Sequence, residues 1–379
     1  MRTIVVLNQK GGVGKTTTVV NIAAALAGMG SKVVAVDLDP QAHLTIHLGL
    51  EPQAIKAGSY QVLTQEAKFE EEILLVRPNL WLLPANIDLV GAESELVSVV
   101  GRETILREAV KPVEDEFDYM MIDCPPSLGL LTLNALAAAK EVLIPLQPHF
   151  LALQGFGKLL QTIDLVNKRI NPGLKVQGVL LCMFDSRASL PNEVKADIER
   201  FLENARGTNC AWAQAQILPT YIRRNIKLAE APSYGKTIFE YERNCHGAED
   251  YAKVAEFIHT QSLDSFGITQ DRFAGDGEPV EPFQPAPQLD TQPDAAKAAE
   301  DQNVQTLEQT EEEEPSAAEA AQEQDIPAPA DTNQRPDTGA EHDQEQPPIE
   351  IRSIPQPDSQ IPPSELTQTT PPDPEQSQP

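Results

Sequence analysis

The sequence predicts an α/β fold: a twisted, mostly parallel sheet with helices on both faces, followed by a disordered acidic, Pro-rich C-terminal tail. Two observations predict the folded part. Apolar, β-branched runs alternate with helix-length segments over residues 1–260, the pattern of repeated strand-helix units. Those runs are continuously apolar rather than alternating, as strands are when helices cover both their faces. The third observation sets the tail apart. Residues 271–379 hold 26 acids against four bases, a local charge of −22, together with 19 of the 32 prolines. Such a composition buries too little apolar surface to offset chain entropy. The remaining 31 acids and 25 bases give residues 1–270 only −6 of the total −28, so the overall charge does not exclude an anionic partner.

Taken in order, strands are expected at 3–8, 32–37, 80–84, 119–123, 141–146 and 176–182. Helices are expected at 15–29, 93–110, 128–139, 153–171, 190–204 and 248–260. There is no internal repeat and no linker-like break before Leu263. We therefore expect one domain over 1–262 and a tail over 263–379, the former long enough for a substantial core. Cys124, Cys182, Cys210 and Cys245 are scattered without CxxC spacing, which suits a reducing compartment and apolar burial. No apolar run approaches the ~18 residues of a membrane span, and the acidic, Pro-broken C-terminus lacks a basic amphipathic face. The N-terminal apolar run is too short for a signal peptide. The expected address is the cytoplasm, without membrane attachment.

The first strand leads directly into Asn8-Gln9-Lys10-Gly11-Gly12-Val13-Gly14-Lys15-Thr16-Thr17 and then an Ala/Val/Leu-rich helix. This is the strand, glycine loop and helix context of a phosphate-binding loop of P-loop NTPase type. Backbone N–H groups over residues 12–16 would point at phosphate oxygens, aided by the helix N-terminus. Lys15 would reach the β- and γ-phosphates, Thr16 would ligate Mg²⁺, and Thr17 would close the loop toward the α-phosphate. The nucleotide-binding set is thus Lys10, Gly11, Gly12, Val13, Gly14, Lys15, Thr16 and Thr17. Lys10 is the unusual member, because an ordinary loop needs no second lysine at its start. A cation there can reach a phosphate across a subunit boundary, as a trans-acting arginine finger does.

Two acid clusters follow. Asp37-Leu38-Asp39-Pro40-Gln41 ends the second strand, where carboxylates lie beside a ligand at the carboxyl edge of a parallel sheet. Asp39 could orient the attacking water or hold Mg²⁺ through water; Asp37 either faces the metal or simply ends the strand. Tyr119-Met120-Met121-Ile122-Asp123 has the Walker-B arrangement, a buried strand delivering one carboxylate to the Mg²⁺ shell. A strand ending in Asp is common by chance. It gains weight as the third part of an ordered set. The expected metal set is Thr16, Asp39 and Asp123, and the catalytic set Lys10, Lys15, Asp39 and Asp123.

These residues resemble the ParA/MinD class of deviant Walker-A ATPases, and within it the small Soj-like partition proteins. The matching blocks are 8–18, 37–41, 118–131, Asn134-Ala135-Leu136, 143–147, 183–187 and 225–235, in order along the whole expected domain. The resemblance implies an ATP- and Mg²⁺-dependent sandwich homodimer in which each Lys10 contacts the partner's nucleotide. It implies nonspecific binding to duplex DNA, release on hydrolysis stimulated by a ParB-like activator, and association with the nucleoid. The outcome would be partition of a chromosome or plasmid, or positioning of another cargo. Asn225 matches the nucleotide-side turn of the family. The preceding Ile222-Arg223-Arg224 departs from the usual Ile-Pro-Arg of that turn.

Between 206 and 236 the bases Arg206, Arg223, Arg224, Lys227 and Lys236 face a single acid, Glu230, for a local charge of +4. Such a patch binds phosphates by counterion release, whatever the sequence. Arg187 and Arg224 sit where the family pattern places DNA-contacting arginines; Lys227 and Lys236 follow. No interleaved aromatics suggest base stacking. A MinD-like membrane ATPase would need a basic amphipathic C-terminus. A cluster-carrying iron protein would need interface cysteines, and only Cys124 lies beside an expected site residue.

Overall fold

The structure, a computed structural model, describes residues 1–149 and 152–266. Among the described residues nine strands form one sheet: β1 Arg2–Val6, β2 Val33–Asp37, β3 Leu74–Arg77, β4 Leu80–Leu83, β5 Tyr119–Asp123, β6 Glu141–Leu146, β7 Lys175–Phe184, β8 Gln216–Ile217 and β9 Ile222–Arg223. Their order is β3-β4-β2-β5-β1-β6-β7-β8, with β9 pairing the far end of β7. All pairings are parallel except the β3–β4 hairpin.

The continuous apolar runs are explained by burial on both sides. Ile4 and Val6 of β1 join one core with Val33, Ala35, Tyr119 and Met121. Val5 and Leu7 join the opposite core with Val34, Val36, Met120 and Ile122. The first core is closed by the helices Lys15–Gly28 and His246–Phe266. The second is closed by Ile105–Val110, Leu130–Ala138, Ala152–Arg169 and Ser189–Glu203. Arg2, itself buried, bridges the layers at the amino edge: its guanidinium pairs with Glu141 at 2.7 Å and donates to Ser262 on the last helix at 2.6 Å.

The six expected strands are present. The expected helix at 93–110 is not continuous. It divides into Leu89–Glu95, a 3-10 turn at Leu96–Ser98 and Ile105–Val110. Val99, extended, ends the helical turn, and Gly101 at φ +76° turns the chain in a left-handed conformation before the next helix. Asn134 repairs the break by accepting from the Leu106 N–H at 3.1 Å and donating to the Arg102 carbonyl at 2.7 Å. Strands β8 and β9 are unanticipated because they are two residues long, too short for periodicity to register; β3, four residues like β4, is a further strand outside the expected set. The expected boundary at 262/263 falls within the last helix. Residues 267–379 of the expected disordered tail lie outside the described residues. Among the described residues, no helix is long and apolar enough to cross a membrane.

Candidate active site

Strand register assembles the site. In the sheet, Val6 pairs with Asp123, and Asp123 with Asp37, so the glycine loop and both acid clusters emerge side by side at the carboxyl edge. Gly12 and Gly14 have φ of +72° and +94°, conformations that L side chains rarely adopt. They turn the loop back over the strand end. Gly14 is also the N-cap of Lys15–Gly28 and offers no capping side chain; the first turn carries no acid. The free N–H groups and the dipole of a 14-residue helix are therefore left for an anion.

Lys15 and Val13 are buried, Thr16 and Thr17 half-buried, and Lys10, Gly11 and Gly12 exposed. The Thr16 hydroxyl donates to Asp123 Oδ2 at 2.6 Å. Asp123 is wholly buried, and its Oδ1 has no hydrogen-bond partner. Burial pushes its carboxyl well up, the neighbouring Asp37 and Asp39 push the same way, and Thr16 and Lys15 oppose them. An orphaned buried carboxylate oxygen beside a threonine hydroxyl is the kind of oxygen donor pair a hard divalent cation takes. Among the described residues no group of three or more His, Cys, Asp or Glu side chains forms a metal cage. A magnesium ion that shares its coordination between few side chains, phosphates and water needs no such cage.

Asp37 and Asp39 have different tasks. Asp37 is fully buried, accepts from the Thr45 N–H and hydroxyl at 2.9 and 2.8 Å and from the Asp39 N–H at 3.1 Å. Burial raises its carboxyl to about 7, against the pull of those hydrogen bonds. It anchors the short helix His43–His47 to the strand end, the structural one of the two roles open to it. Asp39 is buried, with one oxygen accepting from the Gln41 N–H at 3.0 Å.

A family model described as an AAA domain matches residues 1–176. The chromosome partitioning protein ParA of Myxococcus xanthus is 45% identical over 254 residues, covering 66% of this chain and 85% of that protein. The sporulation initiation inhibitor protein Soj of Bacillus subtilis is 42% identical, covering 67% and 97%. This chain belongs to the ParA/Soj family of partitioning ATPases. A solved structure of a cobyrinic acid a,c-diamide synthase from Mycobacterium smegmatis, with an ATP analog and magnesium bound, is 37% identical. It covers 70% of this chain and 97% of its own, with a TM-score of 0.60.

Within this ParA/Soj framework the remaining expected residues fall into place unevenly. Pairing of Phe184 with Arg223 brings the Arg187 turn and Arg224 to one end of β7 and β9. Arg187 is 90% exposed and, among the described residues, pairs with neighbouring Asp185; Arg224 and Lys236 are exposed. The local charge of +4 is not a free charge. Arg206 pairs with Glu203, Lys227 with Glu230, and Arg223 clamps Asp250 and Glu249. The Arg223 N–H, which a proline would lack, donates to Asp250 at 2.9 Å. Asn225 caps the helix Ile226–Glu230 by accepting from the Lys227 N–H.

Three features escaped sequence reasoning. Cys182, not only Cys124, lies at the site: its sulfur is the nearest atom to the Cβ position of Gly14, and both thiols are buried. Tyr234, 63% exposed, stacks on Tyr241 beneath Lys227, so aromatic rings do stand among the bases. His149 touches Lys10. The Cys182 and His149 contacts have no sequence signal, because each joins segments that only the fold brings together; Tyr234 stands between Lys227 and Lys236 in the sequence itself.

Proposed function

We propose that the chain is a DNA-positioning ATPase. With ATP and Mg²⁺ it forms a sandwich homodimer, binds duplex DNA without sequence preference, and hydrolyses ATP when a ParB-like partner stimulates it. The result is segregation or positioning of a chromosome or plasmid over the nucleoid. The observation that carries this reading is the opposite exposure of two lysines five positions apart on one loop. Lys15 is buried, whereas Lys10 is exposed, so a nucleotide held by another copy can reach it once its contact with His149 is released.

On this reading Lys15, Gly11, Gly12, Val13, Gly14, Thr16 and Thr17 cradle the phosphates, and Asn225 lines the nucleotide's base side. Thr16 and Asp123 would hold Mg²⁺, with Asp39 through water, and the ion would neutralise charge shared between the β- and γ-phosphates. Asp39 orients the attacking water. The Lys15 ammonium and the partner's Lys10 stabilise charge on the γ-phosphoryl oxygens as the bond to the leaving ADP breaks. Arg187, Arg224, Lys227 and Lys236 meet DNA phosphates. Arg224 and Lys236 carry most of that contact, because Lys227 is already engaged by Glu230.

The experiment uses the purified full chain with Mg²⁺ and either ADP or a non-hydrolysable ATP analog. Size is read by light scattering and DNA retention by filter binding over a salt series. The proposal expects analog-dependent dimers and analog-dependent, salt-sensitive retention of arbitrary duplexes. DNA retention that is indifferent to the nucleotide, or a strictly monomeric analog complex, would refute it. Dimers that ignore DNA would point instead to another cargo.

A further inference from the structure

Lys10 is exposed, yet it is not idle. Its Nζ contacts Nε2 of His149, which lies just beyond β6 and whose carbonyl accepts the first N–H of the helix Ala152–Arg169 at 2.8 Å. The same gap is bridged a second time. Asn8 donates to the Pro145 carbonyl at 2.7 Å and accepts from the Lys10 N–H at 3.0 Å, so the start of the glycine loop is tied to the end of β6. Between loop and helix lies a cavity of about 210 Å³ lined by Lys10, Val13, His149 and Phe156 among others. Among the described residues no carboxylate pairs with Lys10.

We propose that His149 is a positioning residue for Lys10: in the single subunit it holds the lysine back on its own chain, and dimerisation requires the lysine to be handed from this imidazole to the partner's nucleotide. The inference rests on the trans role of Lys10 proposed above. A neutral imidazole accepts one hydrogen bond from an ammonium, whereas a protonated one repels it. Burial and the Lys10 charge both push the His149 imidazole down from its ordinary value, which keeps it an acceptor near neutral pH. A carboxylate at this place would hold the lysine by charge as well as by hydrogen bond. The imidazole makes a weaker catch that a γ-phosphate can overcome.

Two measurements on the full chain decide it. In the apo monomer, the His149 ring is titrated by NMR in wild type and Lys10→Ala. The proposal expects the His149 pKa to rise when the lysine charge is removed, and an unchanged titration would overturn it. This arm does not depend on dimerisation, so it stands even if the partition reading fails. Then ATP-analog-dependent dimerisation is compared for wild type, His149→Ala and His149→Gln, with ADP affinity as the control for an intact loop. Release of one hydrogen bond per subunit, two per dimer, should let His149→Ala dimerise at about one-fifth of the wild-type protein concentration or below. His149→Gln keeps a neutral acceptor and should stay close to wild type, and ADP affinity should not move. Equal or weaker dimerisation of His149→Ala with ADP affinity intact would overturn the proposal, since His149 would then support the dimer rather than restrain Lys10.

Discussion

Replacing Asp123 by Asn should stabilise the nucleotide-free chain while destroying its activity. The carboxylate is fully buried with one oxygen unpartnered, and burial raises its pKa. A raised carboxylate pKa means that the folded state binds a proton that the unfolded state gives up. Stability is therefore full below the unfolded value and is lost as pH rises toward the folded one. The loss at pH 7 has a ceiling: once the group takes up a proton, an ordinary value of about 3.9 and about 1.4 kcal/mol per unit give about 4 kcal/mol. Asp37, raised to about 7 by the same burial, carries a cost of similar order. The asparagine avoids it and still accepts from Thr16, but it buries an amide N–H₂ without a partner, at about 1–2 kcal/mol. The net gain should be at most about 2–3 kcal/mol at pH 7 and should fall to about zero at pH 5, where the protonation cost is no more than about 1.5 kcal/mol. Urea unfolding of apo wild type and Asp123→Asn at both pH values, followed by circular dichroism, measures this. Equal stability at pH 7, or a gain that persists undiminished at pH 5, would refute the burial argument. Saturating Mg²⁺ and ATP should reverse the order, because only the carboxylate gains a cation.

Lys10→Ala should abolish hydrolysis and weaken analog-dependent dimerisation while leaving ADP affinity near wild type; a hydrolysis-competent Lys10→Ala monomer would contradict the sandwich reading. Arg224→Glu should lower DNA retention several-fold at moderate salt and flatten its salt dependence, whereas Lys227→Glu should do less, since Lys227 is already paired with Glu230. Equal losses in filter binding would dismiss the distinction. Gly58→Ala would place a Cβ 2.2 Å from the Pro84 carbonyl oxygen, so it should cost about 1–3 kcal/mol in urea unfolding, with no effect expected of Gly155→Ala beyond helix propensity because its Cβ position is open.

The phosphate loop was legible in the sequence because its chemistry is local. Gly12 and Gly14 are demanded by backbone angles within a few residues, and Lys15 and Thr16 are placed by the helix those angles start. The strands were legible for the same reason: β1, β2 and β5 must be apolar on both faces, and composition alone shows it. The break at Gly101 was not, since a lone glycine does not announce whether a helix ends or merely weakens; Asn134, 33 residues on, settles it by satisfying the broken end. The basic segment was misread in strength, because the acids that neutralise Arg206 and Arg223 lie outside it, on Ser189–Glu203 and His246–Phe266.

By itself the sequence determined the class of machine: a glycine loop, two carboxylate-ended strands and a second lysine, in chain order. The tertiary structure decided the environment of each group. It buried Asp123 without a partner, turned Asp37 into an anchor by giving it Thr45, and set His149 against Lys10 across 139 positions. The physical reason is that a motif is fixed by short-range backbone geometry, whereas burial, pairing and charge state depend on long-range contacts that exist only once the sheet has closed around them.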